Sequence, residues 1–362
     1  MPYSKNGFKL KNHLVMAPMT RSRAIDNLPN ELMEEYYGQR TGAGLIITEG
    51  TSPMPNGLGY PRIPGIYSKS QINGWSLTTQ IVHQGNSKIF CQLMHTGRIG
   101  HKDNLPQGEQ LVSPSDIKAA GQMFTDTLGL QEFSSPVALT TEGVKNIIQG
   151  HVTASRNAME AGFDGVELHG ANGYLIEQFL HPVVNNRTDE YGGDFKRRTV
   201  FVLEMVEKIA AAIGKIHVGI RFSPFSTMGD LPAYKPEEVH ETYIYLAEQL
   251  NKLGIAYIHI GLSPEIPQKT LDAIRSTFRG TILICNGLTP ESAEVALEKG
   301  FADLVAFARS YLANPDLDRR IEKNAALNIP DPSTAYTPGA KGYIDYPTLV
   351  RPKEKALLVG SN

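Results

Sequence analysis

Three polar side chains stand close together in the middle of the chain, where one kind of secondary structure gives way to another. His169, Asn172 and Tyr174 follow a short apolar run around Val166 and Leu168, which is typical of a buried strand. Glycines interrupt the run, and helical spacing begins at Tyr174. We therefore expect His169 at the carboxyl end of a strand and the other two on the following turn. An imidazole, an amide and a phenol are suited to hold a carbonyl oxygen and to deliver a proton nearby.

Eight strand-like runs alternate with helical segments along the chain, and most of the runs are apolar on both faces, as in a buried parallel sheet. The runs cover 15–19, 44–50, 88–95, 164–169, 216–221, 256–260, 281–285 and 303–307. An open, doubly wound sheet uses the same alternation. The count of eight, and the polar residues that follow nearly every run, favour a (β/α)8 TIM barrel.

Two further segments complete the predicted architecture. A short hairpin is predicted over 8–14, and the aperiodic stretch at about 100–138 predicts a lid-like insertion after the third strand. No domain boundary is visible, so 1–362 is read as a single domain.

Composition excludes several classes of protein. A formal net charge of −2 argues against broad binding to nucleic acid or anionic membranes. No apolar run approaches the roughly 20 residues that cross a bilayer, and the first residues lack a signal-peptide core, so we expect a cytoplasmic protein. Cys91 and Cys285 both lie in apolar runs and predict buried free thiols. No metal site is expected, because a metal-dependent hydrolase barrel would carry paired histidines where the first strand has Ala17 and Pro18.

The residues at the strand exits would ring one mouth of such a barrel. They are Thr20, Gly50, Gln92, His95, His169, Arg221, Gly287 and Arg309. After the seventh and eighth strands, small residues would expose backbone N–H groups close to a helix start, where barrels commonly bind phosphate. Arg309 adds a forked cation there. This set suits a flat heterocycle with a phosphate tail.

Four motifs resemble the Old Yellow Enzyme family of FMN-dependent ene-reductases. They are MAPMTR at 16–21, QLMHTGR at 92–98, HGANGYL at 169–175 and NRTDEYGG at 186–193. The resemblance runs from about Leu10 to Tyr346, nearly the whole chain, and the combination is far more specific than any one piece.

The resemblance implies FMN as cofactor and assigns its contacts. Thr20 would bind the flavin C4 carbonyl, Gln92 the pyrimidine edge, and Arg221 the N1 and O2 atoms, while Gly50 lets the backbone lie close to the ring. The implied cofactor set is completed by Pro18, Asn286, Gly287, Ala308 and Arg309, the last three at the phosphate.

The resemblance also implies the reaction. His169 and Asn172 would donate to the carbonyl oxygen of an activated alkene, such as an enone or nitro-olefin, whose β-carbon takes hydride from flavin N5. Tyr174 would protonate the α-carbon, and Tyr60 and Tyr343 would line the substrate pocket. The cycle would be ping-pong, with NADPH or NADH as hydride donor. Asn172 departs from the family pattern, because many relatives carry a second histidine there.

Two other interpretations remain open at this stage. One is a barrel that senses or stores reduced flavin without fast turnover, against which Tyr174 argues because a binder needs no proton donor. The other is a sugar-phosphate barrel without flavin. The family includes monomers, dimers and larger assemblies, so a homodimer is among the assemblies that the resemblance allows.

Overall fold

A computed structural model describes residues 1–349, and positions 350–362 of the predicted domain lie outside the described residues. Within residues 1–349 the strands are β1 (Tyr3–Lys5), β2 (Phe8–Leu10), β3 (Leu14–Met16), β4 (Leu45–Ile47), β5 (Lys88–Leu93), β6 (Val112–Ser113), β7 (Gln122–Thr125), β8 (Gly129–Glu132), β9 (Val137–Ala138), β10 (Gly165–Gly170), β11 (Val218–Phe222), β12 (Tyr257–Gly261), β13 (Thr281–Cys285) and β14 (Leu304–Phe307). The helices are α1 (Glu31–Gly38), α2 (Lys69–Gln84), α3 (Thr141–Glu160), α4 (Leu175–Leu180), α5 (Phe195–Ile213), α6 (Pro236–Leu253), α7 (Gln268–Thr277), α8 (Pro290–Glu298), α9 (Arg309–Ala313) and α10 (Leu317–Glu322).

Eight parallel strands close into a barrel in the order β3, β4, β5, β10, β11, β12, β13, β14 and back to β3. Alternate side chains of a strand point to opposite faces. Val15 and Leu45 therefore pack inside the barrel, whereas Met16 and Ile46 pack in the larger core with residues of the surrounding helices. The predicted TIM barrel is confirmed.

The register of the strands decides which distant residues become neighbours. Glu167 pairs with Gln92 across β10 and β5, and His169 pairs with Arg221 across β10 and β11. Arg221 in turn pairs with His259 on β12. Three ionisable residues from three separate strands are thereby aligned in one row near the carboxyl end of the barrel.

Local signals in the sequence mark the starts of three helices. The Thr140 side chain caps α3 by accepting from the Gly143 N–H, and Thr289 forms a capping box with Ser292 at the start of α8. Pro236 and Pro290 occupy first-turn positions of α6 and α8, where no donor is lost. These caps and prolines fix the residue at which each helix begins after its loop.

The N-terminal hairpin exists, but its predicted position at 8–14 was wrong. β1 pairs with β2 around Asn6 and Gly7, which both have positive φ, as a tight hairpin turn requires. Leu14 belongs instead to the first barrel strand. Phe8 packs in the same core cluster as Val15, so the hairpin fills the amino-terminal end of the barrel.

The insertion after the third barrel strand has structure that its aperiodic sequence did not predict. β6 pairs with β9, and β7 and β8 form an antiparallel hairpin. Met123 of this hairpin packs in a cluster with Phe133, Tyr60 and Tyr174. The lid-like insertion therefore lies against the proton-donor candidate. Among the helices of residues 1–349, none is long and apolar enough to cross a membrane.

Candidate active site

His169 lies at the carboxyl end of β10, as predicted, and is almost completely buried. Its Nδ1 accepts from the Ala171 backbone N–H at 3.3 Å, which leaves the proton of the neutral ring on Nε2. Burial, together with the positive charges of Arg221 and His259, holds its pKa well below the usual value. The side chain is therefore a neutral imidazole that offers one N–H donor.

The turn after β10 brings the other two candidates to the same place. Asn172 has φ +59° and Gly173 has φ +80°, so the chain turns sharply through two left-handed residues. A Cβ atom at Gly173 would overlap the Met228 carbonyl oxygen, which explains why this position needs glycine. Tyr174 then stands at the N-cap of α4.

Tyr174 is positioned from two sides. Its ring meets the His169 ring edge-on, with centroids 4.8 Å apart, and its hydroxyl lies 2.9 Å from that of Tyr60. Burial and then the neighbouring Tyr60 raise the Tyr174 pKa well above its usual value. The phenol thus keeps its proton at neutral pH. His169 and Tyr174 are therefore in contact, Asn172 lies on the turn between them, and the catalytic roles of all three stay predictions.

Sequence reasoning missed the residues that hold this turn. The buried carboxyl of Glu177 accepts from the Gly173 N–H at 2.6 Å and from Ser223 Oγ at 3.0 Å. Ser223 Oγ itself accepts from the Asn172 N–H at 2.9 Å. Gln178 adds a bond from its amide to the Gly173 carbonyl at 2.7 Å. A buried charged residue in the first turn of α4 was the available signal, because it must find donors.

A cavity of about 680 Å³ opens beside Tyr60, between the lid hairpin and the segment after α10. Aromatic side chains, including those of Phe124, Phe133 and Tyr336, line it. Its size is within the range of sites for small molecules, about 300–1,000 Å³. Tyr60 connects this cavity to Tyr174, so its predicted pocket role fits its place in the structure.

The other predicted pocket residue, Tyr343, has different surroundings. It is fully buried and its ring stacks on Tyr36, with centroids 4.1 Å apart. The guanidinium groups of Arg21 and Arg23 lie 5.1 and 4.8 Å from its ring centroid. These contacts support a packing role that anchors the segment after α10. A substrate contact for Tyr343 stays a prediction, without an exposed side chain to support it.

The ends of β13 and β14 form an open cradle of backbone N–H groups, called the anion cradle here after the phosphate that the sequence predicts for it. Asn286 and Gly287 have positive φ and are exposed, and nothing lies within 4 Å of the place where a Gly287 Cβ would be. Within residues 1–349, the N–H groups of Asn286, Gly287 and Ala308 meet no protein acceptor. Arg309, exposed at the start of α9, makes no side-chain hydrogen bond within the same residues. Free N–H groups beside a cation suit a phosphate.

The neighbouring part of the mouth suits an electron-rich heterocycle. Arg221 is 6% exposed, and its Nε meets no partner within residues 1–349. A Cβ built on Gly261 would lie 3.2 Å from the Arg221 guanidinium and 3.3 Å from the Asn286 amide, so the two groups converge. Gly50 packs closely against Met94, because a Cβ atom added at Gly50 would lie 3.1 Å from the Met94 Cβ. A buried guanidinium with an unpartnered Nε, next to free backbone N–H groups, fits the predicted FMN.

The remaining predicted cofactor contacts lie on the same mouth. Pro18 and Thr20 follow β3 and are half-buried. Gln92 is buried at the end of β5 and donates its amide N–H to Glu167 at 2.8 Å, which turns its side chain inward. The roles assigned to these residues toward FMN stay predictions.

Below the mouth, the barrel interior holds a buried polar chain that the sequence analysis did not anticipate. Glu167 Oε2 lies 2.9 Å from His259 Nδ1, and Arg221 donates to Cys285 Sγ at 3.6 Å. Both cysteines are buried and free, as predicted. A charged or polar residue inside an otherwise apolar strand, as in Val166–Glu167–Leu168, was a signal that partners must exist.

The chain was then compared with known proteins. Residues 2–328 match the model of the NADH:flavin oxidoreductase / NADH oxidase family. It is 39% identical to 12-oxophytodienoate reductase 2 of Arabidopsis thaliana, over 96% of this chain and 95% of that protein. It is 40% identical to 12-oxophytodienoate reductase 1 of Oryza sativa subsp. japonica, over 96% of this chain and 92% of that protein.

Solved structures also resemble this chain over nearly its whole length. Morphinone reductase superposes with a TM-score of 0.91 at 40% identity, covering 96% of this chain and 95% of the other. Morphinone reductase in complex with tetrahydroNAD superposes with a TM-score of 0.93 at 40% identity, covering 97% of both chains. The family match and the barrel that carries its motifs lead to one conclusion: the chain belongs to the Old Yellow Enzyme family of FMN-dependent oxidoreductases.

Proposed function

We propose that this protein uses FMN and NADPH or NADH to reduce the C=C bond of α,β-unsaturated carbonyl or nitro compounds. The observation that carries the proposal is the pairing of a neutral imidazole donor, His169, with a protonated phenol, Tyr174, their rings 4.8 Å apart. One group can hold an oxygen of the substrate while the other delivers a proton. FMN held at this mouth would supply the hydride chemistry of a ping-pong cycle, in which a nicotinamide reduces its N5 and the β-carbon of the alkene receives the hydride.

The cofactor's proposed contacts follow the two halves of the mouth. Arg221, Gln92 and Thr20 would hold the pyrimidine side, and the unpartnered Arg221 Nε supports this placement. Pro18 and Gly50 would leave room for the ring system. The phosphate would take the free N–H groups and the cation of Asn286, Gly287, Ala308 and Arg309.

His169 and Asn172 would bind the activating oxygen of the alkene. The low pKa of His169 keeps its ring neutral, so it donates from Nε2 without carrying a charge. Asn172, fixed by its backbone bond to Ser223, would supply a second donor from its amide. Donors held in place before the reaction stabilise negative charge as it develops on that oxygen.

Tyr174 would protonate the α-carbon. Its high pKa makes it a weak acid that does not lose its proton before the substrate needs it. The hydroxyl of Tyr60, 2.9 Å away, would orient the phenol. The apolar cavity beside Tyr60 would receive the rest of the substrate.

The relatives support the chemical class. Two are named as reductases of an oxophytodienoate and one as a reductase of morphinone, and one of the solved structures holds tetrahydroNAD. A carbonyl-bearing substrate and a nicotinamide donor are therefore proposed for this chain. The homodimer, the cytoplasmic location and the choice between NADPH and NADH stay predictions.

The proposal is tested on the purified protein under anaerobic conditions. We expect a flavin spectrum that bleaches with NADPH or NADH and returns on addition of 2-cyclohexenone. Tyr174→Phe should bleach at the normal rate and recover at least about 100-fold more slowly with the enone. Equal recovery in both proteins would reject Tyr174 as proton donor. Bleached flavin that only oxygen restores would favour a sensing or storage role, and a protein that cannot take up FMN would reject the proposal.

A further inference from the structure

The side chain of Arg221 has an unusual partner. It is 6% exposed, yet no carboxylate forms a hydrogen bond with its guanidinium within residues 1–349. Its one side-chain hydrogen bond there goes from Nη2 to the Cys285 sulfur, 3.6 Å away. A buried cation needs a compensating charge, because desolvation costs several kcal/mol per ion. The geometry makes Cys285 the nearest candidate for that charge.

The two nearby buried carboxylates are already occupied. Glu167 accepts from the Gln92 amide at 2.8 Å and lies 2.9 Å from His259 Nδ1. Glu177 accepts from the Gly173 N–H, from Ser223 and from the Tyr243 hydroxyl. Both act on Arg221 only from a distance, whereas the Cys285 sulfur touches it.

Arg221 and His259 both influence the ionisation of Cys285. Burial would raise its pKa, but the positive charges of His259 and Arg221 outweigh burial and bring the pKa to about 7. Burial would likewise lower the pKa of His259, but the negative charges of Cys285 and Glu167 raise it to about 9.

Cys91 provides the internal comparison. It is as deeply buried as Cys285, but it packs in the core that includes the helices rather than inside the barrel. Its polar neighbours are the hydroxyl groups of Thr48 and Thr51, and burial raises its pKa to about 12. Burial alone therefore leaves a thiol in this fold, and the two cations make the difference at Cys285.

We propose that Cys285 is the counter-anion of Arg221 and thereby sets how much positive charge Arg221 presents to the pyrimidine edge of FMN. Cys285 is a positioning residue, since the proposed effect acts through Arg221. The inference rests on the placement of Arg221 under the proposed function. Removing the sulfur leaves the guanidinium of Arg221 without the anion nearest to it. A stronger positive field at that edge favours the electron-rich, reduced cofactor.

The test is the two-electron midpoint potential of the FMN-loaded protein, measured by equilibration with a reference dye. Cys285→Ala and Cys285→Ser should each shift the reduction equilibrium about tenfold toward the reduced form, a rise of about 30 mV. Cys285→Asp restores an anion and should bring the potential back to the wild-type value or below it. The matched control, Cys91→Ala, should leave the potential unchanged. Unchanged potentials in Cys285→Ala and Cys285→Ser would overturn the inference.

A second measurement follows the sulfur itself. The thiolate absorbance near 240 nm of the loaded protein should rise with an apparent pKa near 7 in wild type and in Cys91→Ala, and this step should be absent in Cys285→Ala. The ionisable groups facing the sulfur are Arg221 and His259, with Glu167 and Tyr257 behind His259; neighbouring β14 contributes only apolar side chains. Equal thiolate absorbance in wild type and Cys285→Ala at every pH would also reject the inference.

The two proposals fail in distinguishable ways. If the protein binds FMN and reduces enones, but its midpoint potential does not depend on Cys285, the proposed function is supported and the counter-anion role of Cys285 is rejected. A protein that takes up no FMN loses the proposed function, while the thiolate step of Cys285 can still be measured on its own.

Discussion

Replacing Glu177 by glutamine tests how the catalytic turn is held. The carboxyl is fully buried, and burial raises its pKa from 4.5 to about 7 against the opposing effect of its donors at Gly173, Ser223 and Tyr243. A carboxyl whose pKa is raised on folding contributes full stability below its unfolded pKa of 4.5. That contribution is lost as the pH rises through 7. Glutamine cannot ionise, so Glu177→Gln should lack this loss.

The magnitude follows from the two pKa values. Between pH 5 and pH 8, a carboxyl with pKa 4.5 unfolded and about 7 folded loses about 2.5 kcal/mol of stability. At pH 5 the variant should be less stable than wild type by about 1–3 kcal/mol, because its amide leaves one buried donor of the turn unsatisfied. By pH 8 this difference should shrink by about 2.5 kcal/mol and approach zero or change sign.

The assay is denaturant unfolding of both FMN-loaded proteins at pH 5, 6, 7 and 8, at a fixed FMN concentration because ligand binding adds to stability. Buried Glu49, whose pKa is also raised to about 7, titrates equally in both proteins and cancels in the difference. A difference in unfolding free energy that stays constant across the pH range would refute the raised pKa of Glu177. A slope of the opposite sign would show that the donors of the turn outweigh burial.

Four further predictions address the mouth. Gly173→Ala should destabilise the protein by at least about 1–2 kcal/mol, since it adds a Cβ at φ +80° against the Met228 carbonyl; thermal unfolding measures the loss, and an unchanged midpoint contradicts the clash. Arg309→Ala should weaken FMN binding about 10–100-fold by titration, and an unchanged affinity would remove Arg309 from the phosphate site. Because the pKa of His169 is far below 6.5, enone-dependent reoxidation should show no step near pH 6.5; a sigmoidal fall toward acid would show that the imidazole titrates. Tyr60→Phe should slow reoxidation less than about 10-fold in stopped-flow experiments, and a loss as large as that of Tyr174→Phe would give Tyr60 a direct part in proton transfer.

Several features of the protein followed from the sequence because the signals that specify them are local. The β/α alternation and apolar strand runs predicted the barrel, and Thr140 and Thr289 marked helix starts through caps that span only three residues. The cluster of His169, Asn172 and Tyr174 was predictable for the same reason, since one turn contains all three. The anion cradle at Asn286 and Gly287 likewise lies at the end of one predicted strand.

The hairpin and the lid show where local signals were insufficient. Apolar and polar residues alternate over 8–14, but this segment contains both β2 and the start of the first barrel strand. Only the pairing of β2 with β1, around Asn6, decides where the hairpin lies. The family resemblance assigned Tyr343 to the substrate pocket, but its ring packs against Tyr36 and two arginines from a distant part of the chain. Neither arrangement can be read from neighbouring residues.

The sequence by itself determined the eightfold plan, the helix ends and the side chains offered at each strand exit, because hydrophobic period, caps and turns act over a few residues. Only the tertiary structure decided which of those side chains meet. Barrel closure sets Gln92 beside Glu167 and His169 beside Arg221, and places Cys285 against the Arg221 guanidinium. These partners are tens of residues apart or more along the chain. Their charges and pKa values depend on distances and burial that exist only once the parallel register has formed.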